Sequence, residues 1–86
     1  MKIACPRLSI PELDPPEFAA ELNKEPDKNE RMQMAILACM VALGGQAKCT
    51  LTGEGLRMES ITGILLLGVR DDGTIAIEER AAEVRT

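Results

Sequence analysis

The chain has 86 residues, a net charge of −4 from ten basic and fourteen acidic side chains, and no histidine. That length supports one small domain with one modest core, and 45% apolar with 28% charged residues is the composition of a globular chain rather than a disordered one. An acidic chain whose single aromatic residue is Phe18 has neither the basic footprint nor the stacking platform of a nucleic-acid binder, so basic or neutral protein surfaces are the expected partners.

Four of the five prolines (Pro6, Pro11, Pro15 and Pro16) fall in residues 1–16. Proline fixes φ and removes a donor, so this segment is expected to be an extended arm in front of a domain spanning residues 17–86. In residues 17–24, Phe18, Ala20 and Leu22 alternate with Ala19, Glu21 and Asn23, which predicts a half-buried strand. Asn29 is a good N-cap with Glu30 in the first turn, and Asp27 with Glu30 also fits a capping box. A helix then runs through Leu43 to the stop at Gly44-Gly45. It is apolar on most of its circumference, so either several elements cover it or part of it faces a partner.

Ala47, Cys49 and Leu51 alternate with Lys48, Thr50 and Thr52, and after the turn at 53–55 Leu56 and Met58 flank Arg57: a hairpin of two strands. Ser60 reads as the cap of a second helix over 60–67, ended by Gly68. Asp71-Asp72-Gly73 is turn chemistry, without the further ligands of a calcium loop. Ile75 and Ile77 face inward on a last strand, and residues 80–85 have helical propensity. The fold class expected is α+β: a four-stranded antiparallel sheet with helices on one face. Phe18, Leu22, Leu51, Met58, Ile75 and Ile77 are expected to share its inner face.

The cysteines are Cys5, Cys39 and Cys49. They form no CxxC pair, and without histidine no familiar zinc spacing exists, so free thiols in a reducing cytoplasm are expected. Cys39 and Cys49 lie on apolar faces and are expected to be buried; as nucleophiles they would lack a histidine base. No phosphate-binding glycine loop is present, and no cofactor or enzymatic activity is expected. Residues 1–6 lack the apolar core of a signal peptide, and the apolar run at 34–43 falls short of the ~20 residues that cross a bilayer. No membrane partner is expected.

The order of residues 59–78 (serine, glycine pair, turn, strand) resembles the second half of the HPr phosphocarrier family of the bacterial phosphotransferase system. Glu59-Ser60-Ile61-Thr62-Gly63 and Leu67-Gly68 match that family's regulatory serine segment, Gly53 its hairpin glycine, and Asn29-Glu30-Arg31 the place of its His-x-Arg motif. The resemblance spans residues 18–77. It implies an open-faced sandwich of order βαββαβ with a third, C-terminal helix that is short or missing here. It also implies protein partners of the enzyme I, HPr kinase or transcription-regulator type. Asn29 stands where the family has its phosphorylated histidine, and an amide is not a nucleophile near neutral pH. The expectation is a regulatory interaction module impaired as a phosphocarrier; the alternative is an assembly protein that shares only the fold.

Asn29 and Arg31 are candidates for a relic anion site at a helix N-terminus, against a plain cap and a solvated arginine. Ser60 is either a simple N-cap or a regulatory phosphorylation site at a helix start, with Glu59 opposing the phosphate. Met34, Ile61 and Leu65 are candidates for a partner-binding surface, while Leu37 and Ile64 are expected in the core. If the proline arm does not cover the domain's open apolar surface, another copy would, and a symmetric dimer is the simplest closed form.

Overall fold

The computed structural model describes residues 1–81. Strands β1 (Ile3–Cys5) and β2 (Ile10–Leu13) pair antiparallel across a 3-10 turn at Pro6–Leu8. Helices α1 (Pro15–Leu22) and α2 (Lys28–Ala42) follow, and then β3 (Lys48–Thr52), β4 (Gly55–Ser60), β5 (Gly63–Val69) and β6 (Ile75–Arg80). The last four form an antiparallel meander in the order β3-β4-β5-β6. The α+β class and the four-stranded sheet are as expected; the element order is not the βαββαβ that the resemblance implied.

The proline-rich segment is built into the domain rather than trailing from it. Pro6 starts the 3-10 turn, where its missing N–H is harmless, and Ser9 takes the left-handed conformation (φ 59°) that turns the chain into β2. Ile3, Cys5 and Ile10 are buried in the main core. The arm is therefore what covers part of the apolar surface.

Residues 15–22 are a helix, not the predicted strand. Pro15 and Pro16 occupy its first two positions, where no intrahelical donor is needed, and Glu17 lies in the first turn. Pro15, Phe18, Ala19 and Leu22 are its buried residues, spaced i, i+3, i+4 and i+7 as one helical face requires. Phe18 and Leu22 satisfied a period of two only because four residues are both two strand repeats and one helical turn.

Helix α2 begins as its polar residues dictate, but the cap is Asp27. Its Oδ1 accepts from the backbone N–H of Asn29 at 2.9 Å and of Glu30 at 3.2 Å, which places Asn29 inside the first turn. The helix ends in a Schellman motif. The Gly45 N–H donates to the Met40 carbonyl at 2.9 Å and the Gly44 N–H to the Val41 carbonyl at 3.0 Å. Gly44 and Gly45 have φ of 92° and 86°, a conformation that costs a side-chain-bearing residue ~1 kcal/mol or more.

Residues 63–69 are strand β5 rather than the predicted helix over 60–67. Ser60 pairs with Gly63 across a two-residue turn at Ile61-Thr62, and Leu65 lies opposite Met58 on one side and Glu79 on the other. The run Ile64-Leu65-Leu66-Leu67 is buried throughout because a central strand has two faces to hide. Leu65 and Leu67, with Met58, Ile75 and Ile77, join Phe18 and Leu22 of α1 and Met34, Ala35, Ala38 and Cys39 of α2 in the main core. Ile64 and Leu66 lie on the opposite face. There their cross-strand neighbours are Glu59 and Arg80, and Arg57 and Glu78, whose aliphatic stems can shield apolar neighbours while the charged ends stay wet. Arg80 bonds Glu54 at 2.6 Å and approaches Glu78 at 3.5 Å, and Arg57 pairs with Glu59 at 3.1 Å.

Leu51 keeps to the expected face, opposite Leu56, but is 83% exposed rather than buried, because β3 is an edge of the sheet. Of the segment with helical propensity at 80–85, Arg80 ends β6, and positions 82–86 lie outside the described residues.

Candidate interaction surface

The residues singled out in the sequence are not brought together. Arg31 and Asn29 sit at the start of α2, and a Cβ at Gly73 would meet the Lys28 side chain, so the 71–73 turn lies at this end. The β4–β5 turn lies at the other end, where a Cβ at Gly44 would sit 3.7 Å from the Thr62 hydroxyl. Between them runs a helix of 15 residues, about 22 Å at 1.5 Å per residue. Asn29 and Ser60 therefore belong to opposite ends of the molecule.

Arg31 is neither solvated nor free to hold an anion. Its side chain is buried, with Nε and Nη2 donating to the Glu25 carbonyl at 3.0 and 2.6 Å and Nη1 donating to the Gly73 carbonyl at 2.8 Å. The planar fork ties the α1–α2 loop to the β5–β6 turn. Asn29 is exposed beside it. Ser60 is the last residue of β4, and its Oγ accepts from the Thr62 N–H at 3.0 Å. It caps no helix, so the electrostatic case for a phosphate at that hydroxyl falls away. Met34 and Leu65 are core residues at 3% and 0% exposure, whereas Ile61 stands fully exposed at the β4–β5 turn. Ile64 is buried as expected; Leu37, expected inside, is 55% exposed.

The thiols divide. Cys5 and Cys39 are buried and Cys49 is exposed on β3, contrary to its expected burial. Burial pushes the Cys39 thiol up to about 12, which keeps it protonated and inert. At the β5–β6 turn, Asp72 is held below the usual carboxylate range by hydrogen bonds from the Thr74 hydroxyl and N–H. Among the described residues no cluster of three or more His, Cys, Asp or Glu could hold a metal ion, and no helix is long and apolar enough to cross a membrane.

The surface that stands out is one the sequence only hinted at. All five residues of β3 are exposed, and β3 is an edge of the sheet. Its register with β4 runs unbroken from Lys48↔Glu59 to Thr52↔Gly55, with no bulge and no proline to blunt the free side. Cys49 and Leu51 lie opposite Met58 and Leu56, hence on the face that carries the helices. There Leu51, Leu56, Leu67 and Val69 line an open groove of about 450 Å³ with Met32 of α2. Along α2, Ile36, four residues after Met32, is 36% exposed, and Met40, a further turn on, is half-buried. Leu37 and Val41 are exposed as well. The one legible signal was the stretch 32–47, sixteen consecutive residues without a charge, too long for a single buried helix stripe to use.

The opposite edge is treated differently. Asn23, just past α1, accepts from the Ile75 N–H through Oδ1 at 2.8 Å and donates from Nδ2 to the Ile75 carbonyl at 2.9 Å. Its amide pairs with β6 as a neighbouring strand would. Comparison with protein-family models, with curated proteins and with solved structures finds no match to this chain.

Proposed function

We propose that the chain is a non-catalytic protein-interaction module that takes a partner chain along β3 and the adjoining apolar side of α2. The observation that carries this reading is the unblunted β3 edge with Leu51 83% exposed on it. An exposed edge with its N–H and C=O groups free is a template for a further strand, with apolar pockets beside it for alternate side chains. The inert Cys39 and the absence of histidine support a role without covalent chemistry. Asn29, Arg31 and Ser60, the residues behind the phosphotransferase resemblance, sit at separate ends of α2 and form no part of this surface.

A photo-activatable residue at position 51, introduced into the full chain in the cells that make it, tests this. Crosslinks to protein are expected from position 51 and not from position 12, an exposed site on β2. If position 51 yields none, the proposal is wrong.

A further inference from the structure

Resting on that reading, we infer that the partner is a second copy of this chain, joined β3 to β3 about a two-fold axis through Thr50. An axis perpendicular to the sheet keeps each face with its own kind, so paired residues must lie on the same face and the register must centre on a residue. Centred on Thr50, the register sets Cys49 opposite Leu51 of the other copy, twice, and Thr50 opposite itself. Apolar pairs and Thr–Thr pairs are both favourable across strands.

Charge singles out a second copy among the possible occupants. A chain of net charge −4 repels its own kind unless acids on the meeting surfaces are few and already paired, and the acid at the rim of the groove beside β3 is Glu54. Residues 32–47 carry no charge, and β3 adds only Lys48. In the Thr50 register Lys48 lies opposite Thr52 of the other copy, one diagonal step from that copy's Glu54, whose carboxylate is already paired with Arg80 at 2.6 Å and so brings no unpaired acid to the seam. The arrangement occurs twice by symmetry, and diagonal neighbours are within reach of long side chains. The same pairing sets the two grooves lined by Met32 and Leu51 side by side. Ile36 and Met40 of each copy then border one continuous apolar valley over the seam.

Sedimentation equilibrium of the full chain at micromolar concentrations is expected to show a dimer. Leu51→Lys, at an exposed site, should weaken it about a hundredfold or more, as loss of a central apolar contact does, with the circular dichroism spectrum unchanged. Thr50→Cys in a Cys49→Ser background should give a disulfide-linked dimer on mild oxidation, because residues on the axis face each other directly. A monomer at all concentrations overturns the inference, and so does a dimer that resists Leu51→Lys or fails to crosslink at position 50. A monomer whose position 51 still crosslinks to another protein defeats the second copy while the interaction module stands. No crosslink at position 51 to any chain defeats both.

Discussion

Replacing Arg31 by Met keeps the length and apolar stem of the side chain and deletes the guanidinium. Three hydrogen bonds go with it, and the Glu25 and Gly73 carbonyls lose this donor in a part-buried setting. A buried acceptor left without its partner costs ~1–3 kcal/mol, so two give about 2–6 kcal/mol. Relief from burying a charge offsets part of this and leaves about 2–4 kcal/mol. In a domain of this size that loss lowers the thermal midpoint by roughly 8–32 °C, taking ~4–8 °C per kcal/mol. Arg31→Lys should recover less than half the loss, because one ammonium cannot reproduce a fork shared between two carbonyls. Urea unfolding followed by circular dichroism reads the effect as a shift in midpoint at constant slope. An unchanged midpoint for Arg31→Met would refute the clamp and return Arg31 to the pool of groups available for an anion.

Leu65→Ala should cost about 2–5 kcal/mol, as for a fully buried leucine, whereas Leu51→Ala should change the stability of the folded monomer by less than ~0.5 kcal/mol; equal losses in dilute urea titrations would contradict the placement of β3. In the Leu51→Lys monomer an aromatic disulfide reagent should titrate one thiol, Cys49, rapidly in the native chain and all three after denaturation, and rapid reaction of Cys39 would contradict its burial. The pH dependence follows from Cys39, pushed up to about 12 from 9.0 by burial. Above pH 9 the unfolded chain releases this proton while the folded chain holds it to about pH 12. Stability should therefore fall with rising pH across that window and be indifferent to this group below it. Cys39→Ala should flatten the fall, and an undiminished fall in its thermal midpoints would refute the assignment.

What could be read from the residues was whatever local chemistry decides. The start of α2 near Asp27, its stop at Gly44-Gly45, the 48–60 hairpin and the turn before β6 all carry their signals within a few positions. Residues 17–22 misled because Phe18 and Leu22 fit both periods, and eight residues are too few to separate them by pattern. Pro15 and Pro16 fit the end of an extended arm as well as a helix start, and in the fold they are the start signal of α1. Residues 64–67 misled for another reason. A four-residue apolar run on a strand hidden on both sides has no periodicity to show, and a preceding serine is as good a turn residue as a helix cap. The site was legible only in part. Arg31, Met34, Leu37 and Leu65 cannot be sorted into clamp, core and surface without knowing which elements flank α2. The exposure of Leu51 depends on β3 being an edge, a property of strand order rather than of the strand's own sequence.

The Asn23 amide on Ile75 bears on how large an assembly can grow. A sheet with two open sides can add copies at both and extend into a filament. Here the outer side of β6 is engaged at Ile75 by a side chain of the same molecule, with α1 packed against that strand. Adding a strand at β6 would first have to displace this amide from Ile75, whereas β3 carries no such block, so growth by strand addition is favoured at β3. One carboxamide thus biases assembly toward a species of fixed size and away from an indefinite fibre.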